Sequence, residues 1–151
     1  MGELWIKTPT LMDGYWNNEE KTRTTIVDGW YATGDIVEMD EQGYFYIRDR
    51  VKDMILAGGF NIYPRELEEV YMTHPDVLEA AVVGIPHPHR GEEAVAFIVL
   101  QEGATITEEE FVAWGKEQFA AYKYPRKVKF IKELPKSTVG KTLKRVLRDM
   151  A

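Results

Sequence analysis

Arg48-Asp49-Arg50-Val51-Lys52-Asp53-Met54-Ile55-Leu56-Ala57-Gly58-Gly59-Phe60-Asn61-Ile62-Tyr63-Pro64 is where the chain changes character. Alternating charges give way to a short apolar run, Val51 to Leu56, and then to Ala57-Gly58-Gly59, which reads as a flexible loop. Pro64 suits the first position of a helix reaching about Thr73, with Leu67, Val70 and Tyr71 as its inner stripe. Val77 to Ile85 and Ala94 to Leu100, rich in Val, Ile and Ala, are expected strands joined through Pro86 to Gly91. Thr107 and Glu110 form a capping box ahead of a helix that should bury Phe111, Trp114 and Phe119. Lys127 to Leu134 alternates as a third strand, and Thr142 to Met150 closes the chain as a short helix with Leu143, Val146 and Leu147 on one side. The expected class is α+β, a small mixed sheet of about three strands flanked by helices.

Upstream of Arg50 the reading is different. Glu3 to Lys7 alternates as a strand, and Glu19 to Thr25 can form a short helical turn. Ile36 to Met39 and Tyr44 to Arg48 read as a hairpin around Asp40-Glu41-Gln42-Gly43, with Gly43 where positive φ is expected. Such a meander encloses little core of its own and reads as the edge of another domain. The expected division is therefore 1–50 and 51–151.

The 151 residues carry 44% apolar side chains, which suits a soluble folded core. No cysteine is present, which excludes disulfides and thiolate chemistry and suits a reducing compartment. No apolar run is long enough to span a bilayer and the first residues do not resemble a signal peptide, so the expected location is cytoplasmic. The formal charge of −6 hides a division. Lys123 to Arg148 holds ten basic residues against the single acid Glu133, a net +9, so with Asp149 the preceding residues carry −14. An acidic body beside that basic tail argues against a nucleic-acid partner.

Five elements could carry chemistry. Asp35, behind Gly34, could accept both hydroxyls of a ribose, or be a turn aspartate bonded to local amides. Arg50 could reach a phosphate or ribose with its forked donors, or belong to a solvated linker of local ion pairs. Gly58 and Gly59 allow a thin ligand to run against the main chain, or simply satisfy a turn. Lys141, in Pro135-Lys136-Ser137-Thr138-Val139-Gly140-Lys141, sits on what reads as a mobile loop that could deliver an ammonium to developing negative charge; alone it is also an ordinary surface lysine. The loop lacks the spacing of a Walker phosphate loop. His87 and His89 lack a third ligand and read as turn polar groups, so no metal site is expected.

In this order the elements resemble the C-terminal part of the adenylate-forming enzymes: acyl-CoA synthetases, adenylation domains of peptide synthetases and beetle luciferase. The resemblance covers nearly the whole chain. It runs from Gly2-Glu3-Leu4-Trp5 and Met12-Asp13-Gly14-Tyr15-Trp16-Asn17 through Tyr31 to Asp35 and Gly43 to Glu69, and ends with Leu134 to Arg148. The wording of Asp53 to Pro64 with Glu66-Leu67-Glu68 is most similar to the acyl-CoA ligase branch.

The resemblance implies a two-step reaction, in which a carboxylic acid attacks ATP to give an acyl-adenylate and pyrophosphate, and coenzyme A then displaces AMP. It further implies that Asp35 holds the nucleotide ribose, Arg50 lies near ribose and phosphate, and Lys52 is the hinge. Gly58 and Gly59 would line the pantetheine tunnel, and Lys141 would bridge acyl carboxylate and phosphate. The family's phosphate loop, magnesium-associated glutamate and acyl pocket belong to a large N-terminal domain that would be this chain's partner, and without them the chain is expected to be inactive. Two alternatives stay open: part of an amino-acid-adenylating domain serving a carrier protein, and a non-enzymatic interaction module. Acid identity and oligomeric state are not legible.

Overall fold

The computed structural model describes residues 1–151, which divide into two units, Met1–Lys52 and Asp53–Ala151. The first runs β1 (Gly2–Ile6), α1 (Glu19–Thr25), β2 (Ile26–Val27), β3 (Trp30–Met39) and β4 (Phe45–Arg50). Asn18 starts α1 by accepting the Lys21 amide at 3.0 Å, which satisfies one of the donors a helix leaves free. Strand β3 is the centre of a four-stranded sheet, pairing antiparallel with β1, β2 and β4. The hairpin turn is closed by Asp40, whose carboxylate accepts the Gln42 and Tyr44 amides at 2.9 Å, with Gly43 at φ +87°. Only Ile36, Val37 and Asp49 are buried in this unit. Phe45, Tyr46 and Ile47 lie open on β4, so the sheet has no core layer of its own.

The second unit continues with β5 (Ile55–Ala57), β6 (Phe60–Ile62), α2 (Pro64–Tyr71), β7 (Val77–His87), β8 (Gly91–Leu100), α3 (Glu108–Gln118), β9 (Lys127–Phe130) and α4 (Lys144–Met150). The α+β class holds, but the mixed sheet has five strands, ordered β6-β5-β8-β7 with β9 parallel to β8. The additional pair is the segment read as a flexible loop. Ala57-Gly58-Gly59-Phe60 is a two-residue hairpin turn with Gly58 at φ +60° and Gly59 at φ +83°. Two positive φ values in succession match the right-handed twist of the flanking strands, and glycine reaches them without strain.

Long strands β7 and β8 are buried on both faces. On one, Val82, Ala94, Ala96 and Ile98 pack with Leu67 and Tyr71 of α2 and Phe111 of α3. On the other, Ala81, Val83, Val95, Phe97 and Val99 pack with Leu134 and with Leu147 of α4. Each fully buried large apolar side chain contributes about 1.5–3 kcal/mol, so α2 and α3, sharing a cluster of aromatic rings, are firmly seated. Helix α4 has Leu147 alone fully buried, while Leu143 is exposed and Val146 intermediate.

The start of α3 is as the sequence indicates: the Thr107 hydroxyl accepts the Glu110 amide at 3.2 Å, and the Glu110 carboxylate accepts the Thr107 amide at 2.9 Å. Phe119 lies just past the helix, as its cap, and is buried. Strand β9 stops at Phe130, short of the expected Leu134, and just beyond it the Ile131 amide donates to Ile98 O at 3.0 Å.

Candidate functional site

In the first unit, β3 and β4 bring Asp35 and Arg50 together. They are register partners, and Arg50 Nε lies 3.3 Å from Asp35 Oδ1. The Asp35 amide donates to the Thr33 hydroxyl at 3.1 Å, while the preceding Gly34 has φ +73° and open space where a side chain would stand. A carboxylate and a guanidinium thus sit together beside bare backbone. Nearby, Tyr31 has its phenol pushed above the ordinary 10.0, first by its hydrogen bond with Tyr15 and then by burial.

Lys52 lies in the single 3-10 turn Val51–Asp53, exposed and without an ion pair. The next residue is anchored: Asp53 Oδ1 accepts from Arg148 Nη2 at 3.0 Å.

The glycine hairpin is held in place by the β7–β8 connection. The Gly58 amide donates to Arg90 O at 2.8 Å, and Ala57 pairs with Gly91. Gly91 has φ +79°, and a side chain there would press within 3.1 Å of Leu56 O, so the close approach of the hairpin needs glycine at this position too. Arg90 donates to Tyr122 O at 3.2 Å, and Tyr122 stacks on Phe60 with ring centroids 4.4 Å apart. Lys123 pairs with Glu66 beside it. These contacts were not legible in sequence, since Phe60, Arg90 and Tyr122 come from three separate loops and strands. In the same connection His87 Nδ1 accepts the His89 amide at 3.3 Å, so both histidines serve the turn.

Lys141 is exposed, and its loop carries hydrogen bonds of its own. Lys136 bridges Thr142, the Ser137 amide donates to Lys141 O at 2.8 Å, and the Lys141 amide donates to the Ser137 hydroxyl at 3.2 Å. Gly140, at φ +78°, supplies the turn. The flanking lysines are both neutralised: Lys136 Nζ lies 2.5 Å from Glu79 Oε1, and Lys144 Nζ lies 2.8 Å from Glu68 Oε1. Lys141 is the ammonium of this loop left without an acid.

The two candidate features of the second unit lie at opposite ends of β7. The Lys141 loop is tied to Glu79 and the glycine hairpin abuts the connection after His87, eight residues and roughly 26 Å further along. No group of three or more His, Cys, Asp or Glu side chains converges anywhere in the chain. No helix is long and apolar enough to cross a membrane.

Over 148 residues the chain is 50% identical to a long-chain-fatty-acid–CoA ligase of Bacillus subtilis, covering 98% of this chain but 26% of that protein. Among solved structures, ATP-bound MatB from Rhodopseudomonas palustris is 41% identical and superposes with a TM-score of 0.92, over 99% of this chain and 30% of MatB. Apo MatB, at 42% identity and the same coverage, gives 0.69. The family model for the AMP-binding enzyme C-terminal domain matches residues 66–141, the stretch from α2 to the exposed lysine, and the chain belongs to that family.

Proposed function

We propose that the chain is the C-terminal part of an ATP-dependent carboxylic acid–CoA ligase, working with a large N-terminal domain that supplies the acyl pocket, the phosphate loop and the ligands for magnesium. The observation that carries the reading is the separation along β7. The loop that carries the unpaired lysine is tied at Lys136 to Glu79, and the bare glycine turn abuts the connection after His87, strand positions roughly 26 Å apart along β7. A single reaction centre cannot use both at once, whereas two successive half-reactions can use them in turn.

In the first half-reaction, Asp35 holds the ribose hydroxyls of ATP and Arg50 lies near ribose and phosphate. A carboxylate attacking the α-phosphate gathers negative charge between two anions, and the Lys141 ammonium is delivered there. A preorganised donor at such a point is worth about 2.7–4 kcal/mol. In the second, rotation about Lys52 removes Lys141 and presents the Gly58-Gly59 turn, whose lack of side chains leaves room for the pantetheine arm of coenzyme A. Lys52 suits a pivot because it sits exposed in a short turn while Asp53 is anchored to Arg148. The two MatB superpositions support a movable lobe, since at equal coverage the corresponding segment of that relative differs between its ATP-bound and apo structures. The names of the relatives favour coenzyme A over a carrier protein as the thiol.

The test is the half-reaction split of Lys141→Ala in the full-length ligase. Acyl-adenylate formation should fall by at least about a hundredfold, while thioester synthesis from supplied acyl-adenylate stays near normal. Equal loss in both steps contradicts the division of labour.

A further inference from the structure

We propose that Glu68 is a positioning residue for Lys141, acting through Lys144. The proposal rests on the ligase reading above and deepens it by naming what aims the lysine. Helix α4 has seven residues and one fully buried side chain, too little to fix its own place, since short helices take their stability from packing. Besides the packing of Leu147, its attachment comes from charge. Glu68 extends from α2 on one face of the sheet and accepts the Val82 amide of β7 at 2.8 Å, and the same oxygen meets Lys144 Nζ at 2.8 Å. Strand β7 is the last strand of its sheet, so this carboxylate covers the strand's edge and grips the first residue of α4, which packs on the other face.

Both side chains are about four-fifths covered, Glu68 20% and Lys144 18% exposed, so this pair is shielded from water far more than a surface pair. Lys144 follows Lys141 by three residues, and between them the Leu143 amide donates to Pro135 O at 2.8 Å, closing the base of the loop. Letting go of Lys144 therefore loosens the C-terminal side of that base, leaving it to the Leu143–Pro135 bond, the Lys136–Thr142 bridge and the Arg148–Asp53 pair further along α4, while Lys136 and Glu79 still hold the other side. An ammonium displaced by about 1 Å from a transition state costs up to about a hundredfold in rate.

Glu68→Gln removes the charge and keeps an oxygen for the Val82 amide, so it is the least disruptive probe. In the full-length ligase, Glu68→Gln and Lys144→Met should each lower acyl-adenylate formation by about tenfold or more. Both should leave thioester synthesis from supplied acyl-adenylate within about twofold of normal. The double variant should be no worse than either single one, as expected of residues acting through one contact, and Lys144→Arg should recover most of the rate. Equal loss in the two half-reactions, no loss in either, or additive losses would overturn the positioning role. Normal adenylation by Lys141→Ala in the same assay would instead overturn the role given to Lys141, and no adenylation by the unaltered full-length protein would overturn the underlying ligase reading.

Discussion

Asp35 and Arg50 face one another across the β3–β4 ladder, and their side chains meet at 3.3 Å. Arg50 is more than half exposed, so the pair is worth at most about 1 kcal/mol to the fold. Asp35→Asn should accordingly shift the unfolding free energy of the chain by less than that, measured by urea titration. In the full-length ligase the same substitution should weaken ATP binding by about tenfold or more, because a neutral amide holds a ribose diol less well than a carboxylate. A large stability loss with unchanged nucleotide affinity would make Asp35 structural.

Tyr71 presents a different balance. Its ring packs against Phe111, Trp114 and Phe119 with centroids 5.3–5.8 Å apart, and its hydroxyl is buried without a hydrogen-bond partner. Burial pushes the phenol's pKa well above its ordinary value, so it stays neutral at any physiological pH. Tyr71→Phe should therefore stabilise the chain by about 1 kcal/mol, the desolvation cost of the orphaned group. Gly115 is coupled to it, because a methyl there would come within 3.0 Å of that hydroxyl. Gly115→Ala should gain its helix-propensity benefit of about 1 kcal/mol only in the Tyr71→Phe background. Additive effects in thermal unfolding would contradict the contact.

The capping box sets a pH dependence. Glu110 has its carboxyl held below the ordinary 4.5, chiefly by the Thr107 backbone amide and next by the Thr107 hydroxyl. A carboxyl whose pKa is lowered by folding stabilises the folded state above its unfolded value, and that contribution is lost as pH falls from about 4.5 through the lower folded value. Thr107→Ala should cost about 1 kcal/mol at neutral pH, and the difference from the parent chain should shrink below pH 4.5. A difference that grows on acidification would place the sign the wrong way.

What the sequence disclosed was what local chemistry determines. The Thr107 and Glu110 box, Pro64 at a helix start and the Asp40–Gly43 turn each act within four residues, so each is readable from its neighbours. The Gly58-Gly59 hairpin was not, because strands of three residues are too short to show alternation, and their pairing depends on Arg90 and Gly91 of another hairpin. The Lys141 loop was legible as a basic, glycine-containing loop. What was not legible was that its neighbours Lys136 and Lys144 are neutralised by Glu79 and Glu68, distant in sequence, leaving Lys141 as the free charge. Chain folding alone creates that distinction among three lysines.

On the proposed reading, which leaves the phosphate loop and acyl pocket to the N-terminal domain, the isolated chain should release no pyrophosphate from ATP with any fatty acid. Steady release above a no-enzyme control would show a complete active centre within these 151 residues.

The claim that one lobe serves two half-reactions from opposite ends of β7 is tested most directly by a reciprocal pair of variants in the full-length ligase. Gly58→Asn forms an Asn-Gly turn, a favoured sequence for a hairpin with two positive φ values, so the hairpin is retained while a side chain is added beside Arg90, whose Nε would lie 3.8 Å from the new Cβ. Each half-reaction would be timed separately by rapid quench. The account predicts that Lys141→Ala abolishes acyl-adenylate formation and spares thioester synthesis, while Gly58→Asn spares the first and slows the second by about tenfold or more. If both variants slow the same step, the two ends of the strand serve one centre and the account is wrong.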